Sequence, residues 1–237
     1  MTEKKFFGKG PPRVNLSGLK GKLIVIEGAD GSGRSTQIGI LHDWLEKKGY
    51  ATTMEVGLKR SELIGQDLYE VKQGNSISGA TLSLFYATDF ADQLEKKIIP
   101  ALRAGFLVLA DRYIFTLMAR AIVRGADPGW IRRIYGIALE PDVVFYLKTS
   151  PEILVERSFQ KSGSLNYWES GLDVFPSQDL YSSFIRYQRL IQKTLLSLGK
   201  EYKFVVINGA LPPAAVARQI ETRMERILAP GRAKSKA

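Results

Sequence analysis

The chain has 237 residues, with 34 Lys and Arg, 24 Asp and Glu, one His and no Cys, for a formal charge of +10. An apolar content of 45% with 24% charged residues excludes wholesale disorder, the length suits one α/β domain with a large core, and no apolar run approaches the roughly 18–20 residues of a membrane helix. The missing cysteines exclude disulfides, cysteine-ligated zinc and a thiol nucleophile, and the single histidine argues against a multi-histidine metal site or a serine–histidine triad.

From residue 23, short apolar runs alternate with helical stretches. Leu23-Ile24-Val25-Ile26, ending in Glu27-Gly28, reads as a buried strand of a parallel sheet. From Ser35 the apolar residues Ile38, Ile40, Leu41, Trp44 and Leu45 recur at helical spacing until Gly49. Thr52–Val56 is a second strand, residues 61–72 are weakly helical, and a long helix from Thr81 ends near Pro100 or a turn later at Gly105. Phe106–Ala110 is a third strand that runs into Asp111-Arg112-Tyr113. Helices follow at about 114–124 and 129–138, then a fourth strand at Val143–Leu147 and a helix over 151–160 with Pro151 in its first turn. Lys161–Pro176 is polar, glycine-punctuated and aromatic, and is expected as a mobile loop. A helix at about 178–198, a fifth strand at Lys203–Ile207 and a helix at 213–228 complete the pattern. Five strands separated by helices predict a parallel sheet with helices on both faces, which binds ligands at the carboxyl ends of its strands.

The charge is unevenly placed. Residues 1–22 carry a net +5 and residues 230–237 a net +3, while the rest holds 25 basic and 23 acidic residues. Residues 1–20 are therefore expected as a basic disordered tail and 230–237 as a second basic tail, around a folded unit at 21–229. The first segment has no apolar stretch of signal-peptide type, so no secretory signal is expected. A nearly neutral core without a basic stripe argues against nucleic acid as a partner.

The first strand ends in Gly28-Ala29-Asp30-Gly31-Ser32-Gly33-Arg34-Ser35-Thr36, the spacing of a P-loop in its strand–turn–helix setting. Gly28, Gly31 and Gly33 let successive N–H groups aim inward, and the dipole of the following helix favours a polyphosphate there. Ser35 is a candidate ligand for Mg²⁺ bridging the β- and γ-phosphates. Arg34 stands where lysine is usual; it keeps the charge but forks its donors.

With this loop, the Leu84-Phe85-Tyr86-Ala87 stretch, Ile99-Pro100-Ala101-Leu102, Asp111-Arg112-Tyr113 and Glu140-Pro141-Asp142-Val143, the chain resembles the thymidylate kinase family, and the stretch from Leu165 to Gln188 resembles a divergent bacterial branch of it. The resemblance covers most of residues 22–210. It implies the P-loop nucleoside monophosphate kinase fold, transfer of the γ-phosphoryl group of ATP to dTMP with Mg²⁺, and a cytoplasmic homodimer. It places Gly28, Asp30, Gly31, Ser32, Gly33, Arg34, Ser35 and Thr36 on ATP, with Arg34, Asp111 and Arg112 as catalytic residues and Ser35 and Asp111 on the metal. For the acceptor it implies Asp30 at the sugar, Arg112 on the phosphate, Phe85 stacked on the base and Glu55 in the loop after the second strand. Arg157 and Lys161 are candidate lid cations in a lid at about 160–177, and Tyr167 and Trp168 are candidates to close over one of the substrates.

Four departures fall on the acceptor side. Asp89 occupies the position of the family's base-reading arginine, Met54 and Val56 flank Glu55 in place of arginine and proline, Arg120 and Ala121 replace residues that line base and sugar, and the lid reads Leu165-Asn166-Tyr167-Trp168-Glu169. A carboxylate accepts hydrogen bonds where arginine donates them. Asp89 therefore raises two alternatives: a kinase of another nucleotide, with Arg120 as a substitute donor oriented by Asp89, or a nucleotide-binding pseudokinase.

Overall fold

The computed structural model describes residues 4–12, 14–74, 77–176 and 179–229. Five strands, β1 (Lys22–Gly28), β2 (Thr52–Gly57), β3 (Leu107–Asp111), β4 (Val143–Lys148) and β5 (Val205–Asn208), form one sheet in the order β2-β3-β1-β4-β5. All four pairings are parallel. Alternation in β1 explains why its apolar run is continuous. Leu23 and Val25 point to one face, with Val108, Ala110, Val144 and Tyr146, and Ile24 and Ile26 to the other, with Leu109 and Phe145. Both faces are covered by helices, so apolar residues fill both sides of the strand from Leu23 to Ile26.

The first face carries α3 (Gly79–Gln93), α5 (Ile114–Val123) and α9 (Leu180–Glu201); the second carries α1 (Arg34–Lys47) and α10 (Pro213–Leu228). Shorter helices are α2 (Gly65–Gly74), α4 (Ile99–Arg103), α6 (Pro128–Ile134), α7 (Pro151–Ser162) and α8 (Tyr167–Ser170). α3 does not stop before Pro100. It widens into a π turn at Leu94–Ile98 and continues as α4, since Pro100 has no N–H to give the carbonyl four residues back.

Two expectations are corrected. The segment expected as a disordered tail is paired in its described part: Phe6 bridges Leu139, Phe7 N donates to Ala138 O (2.9 Å), Gly8 N to Gly136 O (2.8 Å) and Glu140 N to Lys5 O (2.8 Å). Phe7 sets its ring edge-on against Phe115 and Tyr202. Two adjacent phenylalanines outweigh the charge of the lysines beside them, because Lys4 and Lys5 pair with Asp142 and Glu140. The stretch expected as a mobile loop instead continues α7 to Ser162 and builds α8, whose Ser170 is fully buried. The C-terminal tail at 230–237 lies outside the described residues, as does the last residue of the lid range.

Candidate active site

Three cavities adjoin one another; the carboxyl ends of β1, β2, β3 and β5 border two of them, and helices beyond the sheet line the third. The first, about 640 Å³, is bounded by the loop Asp30–Gln37 on one side and by Arg157, Lys161, Asn166 and Glu169 on the other. Gly28 and Gly33 shape this loop. A Cβ on Gly28 would lie 2.5 Å from Ser32 Oγ, and Gly33 caps α1 at φ +93°, in the left-handed region. Ser32 Oγ is buried without a hydrogen-bond partner among the described residues. An orphaned hydroxyl beside a helix N-terminus fits a polyphosphate oxygen. Arg157 borders the cavity from α7 and is held by Gly209 O (3.1 and 3.2 Å) and Gly31 O (3.3 Å).

Arg34 turns back beneath the loop. Its Nε donates to Asp111 Oδ1 at 2.7 Å, and its Nη1 to Gly28 O at 2.6 Å and to Ala29 O. Ser35 Oγ donates to Asp111 Oδ2 at 3.0 Å. The register of β1 and β3, with Ile26 opposite Asp111, brings these groups together. Burial raises the Asp111 carboxyl, but the Arg34 guanidinium outweighs it and holds the carboxyl below its usual range. Ser35 Oγ and the Asp111 carboxylate are adjacent hard oxygens, a donor set that fits Mg²⁺, which takes few protein ligands and completes its shell with water and phosphate.

The second cavity, about 190 Å³, lies between the other two and is lined by five cations, Arg34, Lys59, Arg60, Arg112 and Arg120, against the carboxylates of Asp30, Asp111 and Glu169. Asp30 accepts from Arg112 Nη2 and from Arg120 Nη2 (2.9 Å), with Arg34 Nη2 at 3.7 Å. Burial raises its carboxyl, but the three guanidiniums prevail and hold it far below the ordinary range. Arg112 sits at φ +69°, a conformation costly for a side chain of this size. Glu27 helps to fix it. The carboxylate accepts from Tyr113 N (2.9 Å), Thr116 N (3.3 Å) and Thr116 Oγ1 (2.5 Å), which pins the chain just after Arg112. Burial pushes the Glu27 carboxyl up despite these bonds.

The third cavity, about 390 Å³, is aromatic: Tyr86, Trp130, Tyr135 and Trp168 line it, with Arg120 and Arg124. A planar, largely apolar ligand bearing an anionic end toward Arg112 and Arg120 fits this shape and charge.

Residues 26–220 match the sequence model of the thymidylate kinase family. The chain is 37% identical, over 82% of its length and 91% of the relative's, to "Probable thymidylate kinase 2" of Saccharolobus solfataricus. It is 28% identical to "Probable thymidylate kinase" of Pyrococcus abyssi, over 81% and 90% of the two chains. "Thymidylate kinase" of Caldicellulosiruptor saccharolyticus is 37% identical over 59% of this chain and 70% of its own. The chain belongs to the thymidylate kinase family. It is thereby a nucleoside monophosphate kinase, with ATP as the phosphate donor.

Within this thymidylate kinase frame, Gly31, Ser32, Gly33, Arg34, Ser35 and Thr36 line the first cavity with Asp30, Arg157 and Lys161. Asp30, Arg112 and Arg120 meet in the second. Three acceptor-side expectations are corrected. Phe85 packs against the core, and the next residue, Tyr86, lines the second and third cavities. Glu55 is exposed on β2, where the ladder to β3 is interrupted between Thr53 and Val56, and lines none of the three cavities. Asp89 is buried, lines none of the three cavities and does not bond to Arg120. Its carboxylate accepts from Lys59 N (2.9 Å), Ser61 N (2.9 Å) and Gln93 Nε2 (3.0 Å), while Arg120 pairs with Asp30. The alternative of a different acceptor base loses its motivation with that contact.

In the lid, Trp168 reaches the acceptor-side cavity, and the exposed Tyr167 stacks edge-on against it at 5.6 Å. Sequence reasoning missed Glu27, Lys59, Arg60, Tyr86 and Arg124. A signal existed for Glu27, a charged residue at the end of an unbroken apolar run. None existed for Lys59 and Arg60, which are brought to the site by the Asp89 contacts.

Proposed function

We propose that the protein transfers the γ-phosphoryl group of ATP to dTMP, giving ADP and dTDP. The observation that carries this reading is the cationic cavity joining the P-loop cavity to an aromatic one, with Asp30, Arg112 and Arg120 at the junction. ATP lies with its phosphates on the N–H groups of Gly31–Thr36 and on Arg157, and dTMP with its base among Tyr86, Trp130 and Trp168. The dTMP phosphate enters the junction, where Arg112, Arg120 and Lys59 offset its charge and Asp30 aims the two arginines. A dTMP phosphate oxygen forms a bond to the γ-phosphorus as the bond from that phosphorus to the β–γ bridging oxygen breaks, and ADP leaves with the electron pair. The charge on the transferring group spreads over its oxygens, so the work of the protein is positioning and electrostatic stabilisation. Arg34 braces the loop carbonyls against Asp111 and keeps both substrates' walls in register. Ser35 and Asp111 would hold Mg²⁺, which when bound neutralises charge on the β- and γ-phosphates.

The reading includes a homodimer, as the family resemblance implies, and Leu84, half exposed on α3, offers apolar surface outside the site. It also includes a cytoplasmic location, where ATP is available; no described helix is long and apolar enough to cross a membrane. A panel of nucleoside monophosphates with ATP and Mg²⁺, followed by coupled ADP release, tests the proposal. dTMP is expected to turn over fastest. ATP binding without ADP release on any monophosphate would overturn it in favour of a pseudokinase.

A further inference from the structure

α8 is four residues long, yet adjacent side chains on it line different cavities. Trp168 lines the aromatic acceptor-side cavity, while Glu169 lines both the P-loop cavity and the junction. Asn166, the cap of α8, also borders the P-loop cavity and accepts from Trp168 N at 3.0 Å.

The helix is held as a rigid piece. Ser183 Oγ donates to Ser170 O at 2.7 Å and Gln188 Nε2 to Glu169 O at 2.8 Å, which fastens it to α9. From the end of α5, the Arg124 guanidinium lies 5.7 Å from the Trp168 ring and 5.0 Å from the Tyr187 ring. It binds Asp173 through Nε (2.6 Å) and Nη2 (3.1 Å), and Nη2 also donates to Trp168 O at 3.4 Å. Gly171 makes the turn after α8 at φ +63°, with the Tyr187 ring so close that a Cβ would meet it at 2.5 Å. A piece so clamped cannot shift its tryptophan without shifting the residue next to it.

We propose that Trp168 is a specificity-determining wall of the acceptor cavity, and that α8 carries its position to Glu169 so that acceptor and donor bind cooperatively. The inference rests on the kinase reading above. A planar base packing on Trp168 fixes α8 in place, and with it Glu169 at the wall of the P-loop cavity beside Asn166 and Lys161. Because coupling between two ligands is reciprocal, each tightens the other by the same factor.

The test is calorimetric titration of the full chain with a non-hydrolysable ATP analogue, in the absence and presence of saturating dTMP. In the wild type, dTMP is expected to tighten analogue binding about fivefold or more. In Trp168→Ala the factor should fall to near one while analogue affinity without dTMP stays unchanged; at saturating dTMP the KM for ATP should then rise by the lost factor, and the KM for dTMP by more than that. Asp173→Asn, which loosens Arg124 and leaves the ring in place, should lose part of the factor and serves if the first variant folds poorly. With Trp44 and Trp130 replaced by Phe, the remaining Trp168 fluorescence should respond to dTMP. Binding of dTMP with a coupling factor of one, or with the full wild-type factor in Trp168→Ala, overturns the inference alone. Failure of dTMP to bind overturns the kinase reading and the inference with it.

Discussion

Arg34 makes three contacts that a lysine could not make together. The planar fork reaches Asp111 with Nε while Nη1 holds the carbonyls of Gly28 and Ala29, whereas an ammonium is one point on a flexible stem. Arg34→Lys is therefore expected to let the loop and Asp111 drift apart and to lower kcat on the order of 10²-fold. Steady-state kinetics with ATP and dTMP read this directly, and a gain in activity would mean that the arginine is a mere remnant. Asp89 makes the same point about borrowed patterns. The family's usual residue there is arginine, but here the position supplies the acceptors for two backbone N–H groups of the loop bearing Lys59 and Arg60. Asp89→Ala leaves those buried donors unpaired and should cost about 2–3 kcal/mol of stability, seen as a lower denaturant midpoint, with a raised KM for dTMP. Asp89→Arg, which restores the family pattern, should lower dTMP turnover, because arginine has no acceptor to offer.

At the level of elements, the segment at residues 4–10 lies before the residues that match the family model, yet it supports the acceptor side. Its backbone bonds fix Gly136 and Ala138, next to Tyr135 of the aromatic cavity, and Phe7 backs Phe115 on the helix that carries Arg120. Phe7→Ala is expected to cost roughly 2 kcal/mol, or about 6 °C in Tm, and to raise the KM for dTMP more than that for ATP. Thermal melts and a KM comparison check both. The strand–loop–helix bearing the phosphate site was legible in the sequence because local rules determine it: glycine spacing, a β-branched run and helical periodicity act within twenty residues. The pairing of residues 4–10, the lid helix and the role of Asp89 were not, because each depends on partners far along the chain. Lys59 N and Asp89, or Arg124 and Asp173, meet only through the packing of α3, α5 and α9.

For the molecule as a whole, the buried charges set opposing trends with pH. Asp30 and Asp111 have carboxyls held below their ordinary value of 3.8, so the stability they contribute is present above that value and is lost as pH falls below it. Glu27 and Asp89 are raised above 4.5 and 3.8, so theirs is complete below those values and is lost as pH rises through their shifted ones. Melting temperatures should therefore fall steeply below about pH 4, and Asp30→Asn should flatten that acid limb; an unchanged limb would mean that Asp30 is not clamped by its arginines. The sheet order also governs when the protein can take shape during its synthesis. β1 sits at the centre, with Lys22 opposite Leu107 and Ile24 opposite Val143, and Phe6 waits for Leu139. The phosphate loop is thus made before β3 and β4, the two strands that flank its own strand in the sheet. A fragment that contains the whole loop but stops before Val143 has no completed sheet to hold it, and any chaperone attending the nascent chain meets the bare run Leu23–Ile26 before its neighbours exist.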